Sequence, residues 1–313
     1  MIGKSKALIT SDGQHSETTM DRTYHVGNAT ITKIPELILD ANTPEYLYPD
    51  WDPSFLLEHG DWLVPEHMDP ERTHLIQSIH SWLIRTKEHT ILIDTAAGND
   101  KERAWSPRFH RLNTPYIERL RAAGVTPEMV DYVLLTHIHI DHVGWNTRLL
   151  GDSWVPTFPN ATYVFPKAEQ ERNSDPENYP ENARGKFVIY EDSILPVVQA
   201  GLAEPVVPDG SEFLRGISFH PVPGHTPGQM AVLFESCNEM ALFGGDIMHH
   251  PVQVYRPGWN SVYCEDAEKA RASRRWALDY LADRHALYCS SHFAGTSAGR
   301  VTRTKNGFTW EFC

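Results

Sequence analysis

The sequence predicts a single α/β domain, with β-sheet layers inside and helices outside. Strand-like and helix-like segments alternate along the whole 313-residue chain, and no low-complexity linker or internal repeat divides it. Hydrophobic residues make up 41% of the chain, which is enough to bury a sizeable core. We expect a polar arm at residues 1–22 and one folded domain at residues 23–313.

Apolar alternation, helical spacing and turn residues place the elements in chain order. Residues 23–35 predict an opening strand, whereas residues 43–72, rich in proline and aromatics, predict an irregular excursion over the surface. The later predicted strands are 74–86, 89–98, 131–137, 161–166, 217–224, 229–236, 240–246 and 286–292, with a closing hairpin at 299–312 around Asn306-Gly307. The predicted helices are 113–124, a Thr-capped helix at 126–130, 167–173, 186–200 with Pro196 as a kink or stop, and 266–283.

The charge balance argues against two classes of partner. Asp and Glu outnumber Lys and Arg by 41 to 28, which gives a formal net charge of −13. Nucleic acids and anionic membrane surfaces both attract clustered basic side chains, so neither is expected as a partner. No run of about 18 apolar residues predicts a membrane span, and the polar start of the sequence predicts no export signal.

The four cysteines predict neither a disulfide framework nor a catalytic thiol. Cys237, Cys264, Cys289 and Cys313 form no CxxC pair. A reducing cytoplasm is therefore the expected compartment. Cys289, which lies in a predicted strand, is expected to be a core residue.

One short segment concentrates polar side chains behind an apolar strand. In LLTHIHIDHVGW, residues 134–145, three histidines and one aspartate occur within six positions. His137 and His139 share a face of the strand end, and the turn at His-Val-Gly lets Asp141 and His142 swing back toward the same point. Burying such groups is costly, and a divalent metal such as zinc compensates for the cost. The alternative interpretation is that the histidines are solvated or make single hydrogen bonds. That interpretation suits a lone histidine, but it suits the HxHxDH motif less well.

Four further polar residues follow apolar strands beside glycine or small residues. They are Asp94 in ILIDTAAG, His225 in PVPGHTPG, Asp246 in ALFGGD and His292 in CSSHFAG. Strand ends that gather at one sheet edge are where α/β folds build their sites. Asp94 also suits an ordinary turn, because aspartate commonly follows a strand.

The motif HIHIDH, with the later GHTPG, GGD and SSHFAG segments, resembles the metallo-β-lactamase superfamily in order, approximate spacing and strand-end context. The resemblance covers about residues 23–305 and implies a four-layer αββα sandwich with a site for two zinc ions, or for other divalent metals such as Mn, Fe or Co. The metal ligands that it implies are His137, His139 and His225 for one metal, Asp141, His142 and His292 for the other, and Asp246 as the bridge. Asp94 corresponds to an early aspartate of the family that supports the ligand loop.

Within the superfamily, the chain is most similar to the branch of the N-acyl homoserine lactonases and methyl parathion hydrolase. The segment DIMHHP at 246–251 and the late helix before SSHFAG match that branch. Its best-known lactonases have a tyrosine three residues after the bridging aspartate, where this chain has His249, as on the parathion-hydrolase side. His249 is therefore either a catalytic residue that hydrogen-bonds a substrate oxygen or a structural histidine beside His250.

The resemblance implies metal-assisted hydrolysis, in which Asp141 is a ligand and also passes a proton to the leaving group. We expect the protein to open a lactone or cleave a related ester. The alternatives are a phosphotriesterase, a thioesterase of the glyoxalase II type and, outside enzymes, a non-catalytic zinc-binding scaffold.

Aromatic residues predict either an apolar substrate pocket or a subunit contact. They are Tyr46, Tyr48, Trp51, Phe55 and Trp62 in the excursion, and Trp105, Phe109 and Trp145 in later loops. The expected partners are a small-molecule substrate with an acyl or aryl group and a second copy of the chain in a homodimer.

Overall fold

The strands of the first half of the chain form one large sheet and a small hairpin. The computed structural model describes residues 23–313, so the predicted polar arm at 1–22 lies outside the described residues. The strands are β1 (Thr23–Val26), β2 (Ala29–Asn42), β3 (Leu75–Arg85), β4 (Thr90–Ile93), β5 (Tyr132–Leu134), β6 (Thr147–Leu150), β7 (Ser153–Pro156), β8 (Thr162–Pro166) and β9 (Ala203–Val206). The sheet order is β1-β2-β3-β4-β5-β8-β9, while β6 pairs with β7. Strands β4, β5, β8 and β9 are parallel, and the other pairs are antiparallel.

The second half of the chain forms another seven-stranded sheet. Its strands, in both sequence and spatial order, are β10 (Glu212–Leu214), β11 (Ile217–Pro221), β12 (Met230–Ser236), β13 (Glu239–Phe243), β14 (Leu287–Cys289), β15 (Ala298–Thr304) and β16 (Gly307–Phe312). Strands β13 and β14 are parallel, because the chain crosses over between them, and the other neighbours are antiparallel.

Helices cover the outer faces of the two sheets. They are α1 (Pro44–Leu47), α2 (Phe55–Leu63), α3 (Tyr116–Ala122), α4 (Lys167–Asn173), α5 (Val188–Ser193), α6 (Leu195–Gln199), α7 (Val252–Tyr255) and α8 (Ala267–Arg284). The longest, α8, begins at Asp266, whose carboxylate accepts hydrogen bonds from the backbone amides of Glu268 and Lys269 and so caps the helix.

The core confirms the predicted αββα sandwich. Trp82 of β3 and Val232 of β12 belong to one buried cluster between the sheets, while Ala231, next along β12, belongs to the cluster that includes Leu278 of α8. Successive residues of a strand thus face opposite layers, as the two-residue period requires. On the far side, Leu120 of α3 packs in the cluster that covers the first sheet.

The segment predicted as an irregular excursion contains two helices, so that prediction is wrong. The hydroxyl of Thr43 accepts a hydrogen bond from the amide of Tyr46, and Pro44 occupies the first position of α1. The aromatic side chains that obscured any helical period pack with one another and with Val252 of α7 as a small core of their own.

Two other local predictions differ from the structure, and a third agrees with it. Residues 127–129 form only a short 3₁₀ turn, and the Thr126 side chain caps nothing. The region 186–200 divides at Ile194 into α5 and α6, as the proline at 196 suggested. Strands β6, β7, β9 and β10 were not predicted, because they are short and mostly exposed and lack a clear apolar alternation.

Candidate metal centre

The candidate site lies where both sheets have parallel strand pairs. Asp94 directly follows β4, and the HIHIDH motif follows its parallel neighbour β5. In the second sheet, Asp246 follows β13, and His292 follows its parallel neighbour β14. Parallel neighbours end at the same sheet edge, so all four segments meet there. The loop between β11 and β12 adds His225.

Two glycines let the loop after the motif lie against the loop after Asp94. A Cβ atom on Gly144 would lie 1.8 Å from the carbonyl oxygen of Ala97, and a Cβ on Gly98 would lie 2.6 Å from the backbone of Gly144. Gly98 also has a φ of +79°, which side chains disfavour. The close contact holds the turn of the motif over the end of β4.

Asp94 orients the motif, as the family resemblance implied. Its Oδ1 accepts from the Thr136 amide at 2.7 Å, and its Oδ2 accepts from the Thr136 hydroxyl at 2.9 Å. Oδ2 also lies 2.8 Å from Nδ1 of His142. Because the carboxylate can only accept, Nδ1 of His142 carries a proton, and in the neutral ring the lone pair is therefore on Nε2.

The seven predicted ligand residues converge in two groups. We call His137, His139 and His225 the first cluster, and Asp141, His142 and His292 the second cluster. Within each cluster, one potential ligand atom of every residue lies within 4.8 Å of the others.

Asp246 lies between the two clusters and turns one oxygen toward each. Its Oδ2 lies 3.1 Å from Nε2 of His225 and 3.9 Å from Nε2 of His137. Its Oδ1 lies 3.1 Å from Nε2 of His142 and 2.9 Å from Nε2 of His292. One carboxylate therefore contacts both clusters, which is the geometry that a bridging ligand needs.

The residues present fit a pair of divalent metal ions. Within residues 23–313, Nε2 of His137 is buried and has no hydrogen-bond partner. Oδ1 of Asp246 is close to Nε2 of His142 and of His292, at 3.1 and 2.9 Å, but without the angles of a good hydrogen bond. Unpaired buried polar atoms are costly, and nitrogen and oxygen donors at this spacing suit zinc. The cluster thus holds buried atoms that a metal would satisfy.

The protonation of the first cluster also suits metal binding. Burial lowers the pKa of His137 and of His225 well below the ordinary histidine value, so both rings are neutral at pH 7. Neutral imidazole is the form that coordinates a metal. In the second cluster, burial also lowers the pKa of His142, but the carboxylates of Asp246 and Asp94 outweigh it and raise the pKa on balance.

His249 lies beside Asp246, as its position in the sequence suggested. Its Nε2 is 3.3 Å from Oδ2 of Asp246 and 3.4 Å from the Ser261 hydroxyl. Its backbone is fixed on both sides, because the amide donates to Gln253 at 2.7 Å and the carbonyl accepts from Gln77 at 3.1 Å. Sequence reasoning missed these three partners, since none of them follows a motif.

A cavity of about 1050 Å³ opens onto the site. It is lined by Asp141, Asp246, His139, His225, His249 and His292, together with apolar side chains such as Leu39, Ile138, Ile140 and Ile189. An apolar chamber with converging polar groups is the usual form of a small-molecule site.

The predicted aromatic residues divide between this cavity and the core. Tyr46, Trp105 and Phe109 line the cavity. Tyr48, Trp51, Phe55 and Trp62 instead belong to the small core around α2. Trp145 stacks on Tyr116 with ring centroids 5.2 Å apart and donates to Glu36 at 2.6 Å. A substrate pocket thus accounts for three of the eight aromatics, and most of the others stabilise the fold.

A four-layer sandwich with a histidine and aspartate cluster at one sheet edge defines a class of α/β hydrolases with candidate metal sites. The chain belongs to the metallo-beta-lactamase superfamily, whose family model matches residues 76–292. Among residues 23–313, every helix is either too short or too polar to cross a lipid bilayer.

Similar proteins include lactonases. An N-acyl homoserine lactonase of Bacillus sp is 25% identical over 167 residues, which are 50% of this chain and 57% of that protein. The chain therefore matches little more than half the length of this relative. Among solved structures, hydrolase AbOPH of the beta-lactamase superfamily has a TM-score of 0.78 at 24% identity, and the dizinc quorum-quenching lactonase AidC has a TM-score of 0.75 at 22% identity. Each match covers 93% of this chain and 96% of the other, and at these identities it establishes the fold.

Proposed function

We propose that the protein is a metal-dependent hydrolase that binds two zinc ions and opens a lactone or cleaves a related ester. The convergence of the two clusters and Asp246 on one apolar cavity carries this proposal. Relatives named N-acyl homoserine lactonase support a lactone as the first substrate class to test.

The two clusters would hold the two metals. The first cluster supplies three neutral imidazoles, the second supplies two imidazoles and Asp141, and Asp246 serves both. When bound, the metals supply Lewis acidity toward a carbonyl oxygen and lower the pKa of a water molecule toward about 7. The described chain therefore needs no serine or cysteine nucleophile.

Asp141 would move the proton in this reaction. Its side chain is 15% exposed, whereas those of His142 and His292 are 1% and 5% exposed. Its oxygens lie 3.8 Å from His142 and 3.9 Å from His292, so the carboxylate is oriented toward the second cluster while facing the cavity. It can accept a proton from the attacking water and return it to the leaving oxygen.

His249 would bind the oxygen of the substrate carbonyl. Burial lowers the pKa of His249 below its ordinary value, which keeps the ring neutral with one N–H. Nε2 lies 3.3 Å from Oδ2 of Asp246, and its N–H would become available to the substrate once that carboxylate binds the metals. The backbone contacts to Gln253 and Gln77 hold the ring in position on the cavity wall. A donor held in place before the reaction stabilises developing charge without reorganisation.

The test is hydrolysis by zinc-loaded protein of a panel of acyl homoserine lactones, aryl esters, paraoxon and S-lactoylglutathione. We expect the lactones or the esters to have the highest kcat/KM, a chelator to abolish turnover and zinc to restore it. Highest turnover of paraoxon or of the thioester would identify the phosphotriesterase or the thioesterase instead. Metal binding without any turnover would favour the zinc-binding scaffold.

Two histidine variants separate the metal mechanism from a general loss of fold. His139→Ala should reduce kcat by at least about 100-fold, because it removes a donor of the first cluster. His220→Ala is the matched control, since His220 stacks on Trp276 with ring centroids 3.9 Å apart and lies outside the cavity lining. Unchanged turnover in His139→Ala would refute the mechanism. The homodimer and the cytoplasmic location stay predictions, to be tested by size-exclusion chromatography and cell fractionation.

A further inference from the structure

Two of the cationic side chains that line the cavity have no acidic partner among residues 23–313. The cavity is lined by seven acidic or basic residues of the described chain, which are Arg108, Asp141, Glu169, Arg172, Lys186, Asp246 and Glu265. Asp141 and Asp246 belong to the proposed metal site, and Arg172 pairs with Glu265 at 2.8 Å. Glu169 is buried and accepts from the amides of Gly228 and Ile138 at 2.9 and 3.4 Å. Arg108 and Lys186 are the two charged lining residues that neither belong to the proposed metal site nor have a charged partner among the described residues.

Arg108 is the better fixed of these two cations. Its Nη1 donates to Oδ1 of Asn42 at 2.8 Å, while within residues 23–313 no carboxylate lies within 4.0 Å of its guanidinium. The ammonium group of Lys186, on a 3₁₀ segment, has neither a hydrogen bond nor an ion pair among the described residues, and both cations are exposed. Arg108 therefore offers a positioned guanidinium, most of whose five N–H groups are free to bind a ligand.

A chain of buried amides fixes the direction in which Asn42 accepts. The carbonyl of His249 can only accept, so Gln77 turns its NH₂ group toward it at 3.1 Å. Oε1 of Gln77 then accepts from Nδ2 of Asn42 at 3.0 Å, which leaves Oδ1 of Asn42 for Arg108. The guanidinium at the cavity is thus joined by two buried side chains to the backbone of His249 beside Asp246.

We propose that Arg108 is a specificity-determining residue and that the substrate carries a carboxylate in addition to its scissile lactone or ester. This proposal rests on the proposed hydrolase function. A planar guanidinium binds a carboxylate with two parallel hydrogen bonds, which Lys186 cannot do. The apolar lining between the charged groups, including Phe109 and Ile189, suits an acyl chain or aryl ring that joins the two ends of such a substrate.

The first experiment measures binding and needs no turnover. Isothermal titration calorimetry would compare 4-acetamidobenzoate with the neutral 4-acetamidobenzamide on the zinc-loaded full chain. We expect the wild type to bind the carboxylate about tenfold or more tightly than the amide. Arg108→Gln should reduce this preference to within about twofold, and Arg108→Lys should retain part of it. Arg148→Gln, which removes an exposed arginine of β6 outside the cavity, should retain all of it.

The second experiment uses the corresponding substrates, 4-acetoxybenzoate and 4-acetoxybenzamide. In Arg108→Gln, KM for the acid should rise about tenfold, while kcat and the kinetics of the neutral ester stay within about twofold. No preference in the wild type, or a preference that survives in Arg108→Gln, would overturn the proposal, since the carboxylate would then bind elsewhere. A binding preference that depends on Arg108 supports the carboxylate site even if neither ester is hydrolysed, a result that would count against the hydrolase function alone.

Discussion

Asp94→Asn should weaken metal binding at the second cluster far more than at the first. The wild-type carboxylate accepts from the Thr136 amide, the Thr136 hydroxyl and Nδ1 of His142, at 2.7, 2.9 and 2.8 Å. Asparagine has nearly the same shape but only one carbonyl oxygen. If that oxygen stays on the Thr136 amide, an NH₂ group faces Nδ1 of His142.

The tautomer of His142 then changes. Nδ1 must accept from the new NH₂ group, so the proton moves to Nε2, the atom that faces Asp246 at 3.1 Å. A protonated Nε2 cannot coordinate a metal. Loss of a group that orients a ligand histidine typically lowers metal affinity by about 10- to 100-fold, which is about 1.4 to 2.8 kcal/mol.

The assay is a competition titration with a chromophoric chelator that counts and ranks the bound zinc ions. We expect two sites in the wild type, and in Asp94→Asn one site of nearly unchanged affinity and one weakened by about 10- to 100-fold. Asp131→Asn is the matched control, because this exposed aspartate accepts one amide hydrogen bond, from Thr90 at 2.8 Å, at the opposite end of β5. Wild-type affinity at both sites in Asp94→Asn would refute the tautomer argument.

Three further predictions concern stability, measured by chemical denaturation. Burial raises the pKa of the Glu36 carboxyl above its ordinary value of about 4.5. The stability that the protonated group contributes to the fold is therefore complete below about pH 4.5 and is lost as pH rises through the raised pKa. Glu36→Gln should not show this loss, and curves of unfolding free energy against pH that run parallel in wild type and variant would contradict the argument. Arg103→Ala should cost roughly 3 kcal/mol, because it removes two hydrogen bonds of 2.7 and 2.8 Å from buried Asp192 and leaves this carboxylate only Lys101 at 3.5 Å and the Ser193 hydroxyl; a cost below about 1 kcal/mol would contradict this. Gly144→Ala should destabilise the protein severely, since its Cβ would clash with the backbone of Ala97; an unchanged denaturation midpoint would contradict the close contact.

The candidate metal cluster was predictable because its residues lie in local motifs. HIHIDH, GHTPG and GGD each combine a polar side chain with an apolar strand and a glycine that permits close approach. A polar residue between an apolar strand and a glycine is expected at the end of that strand, and strand ends gather at one sheet edge, so the sequence predicts that these residues lie close together. The supporting role of Asp94 could be predicted only from the family resemblance, because an aspartate after a strand also suits an ordinary turn.

The cavity was not predictable to the same degree. Asn42 and Gln77 lie on strands β2 and β3, far along the chain from His249, and nothing in their neighbours distinguishes them from ordinary polar strand residues. Their alignment depends on the pairing of β2 with β3, in which a bulge lies between Leu39 and Asn42. Aromatic composition likewise could not separate Trp105, which lines the cavity, from residues that fill a core.

The sequence by itself determined the layered α/β architecture and the set of polar residues at the strand ends, because alternation, glycine turns and ligand spacing act over a few neighbouring positions. Only the tertiary structure decided which of those residues share an oxygen of Asp246, and which distant side chains orient Arg108 toward the cavity. These relations depend on the packing of two sheets against each other, and packing joins residues that no local pattern connects.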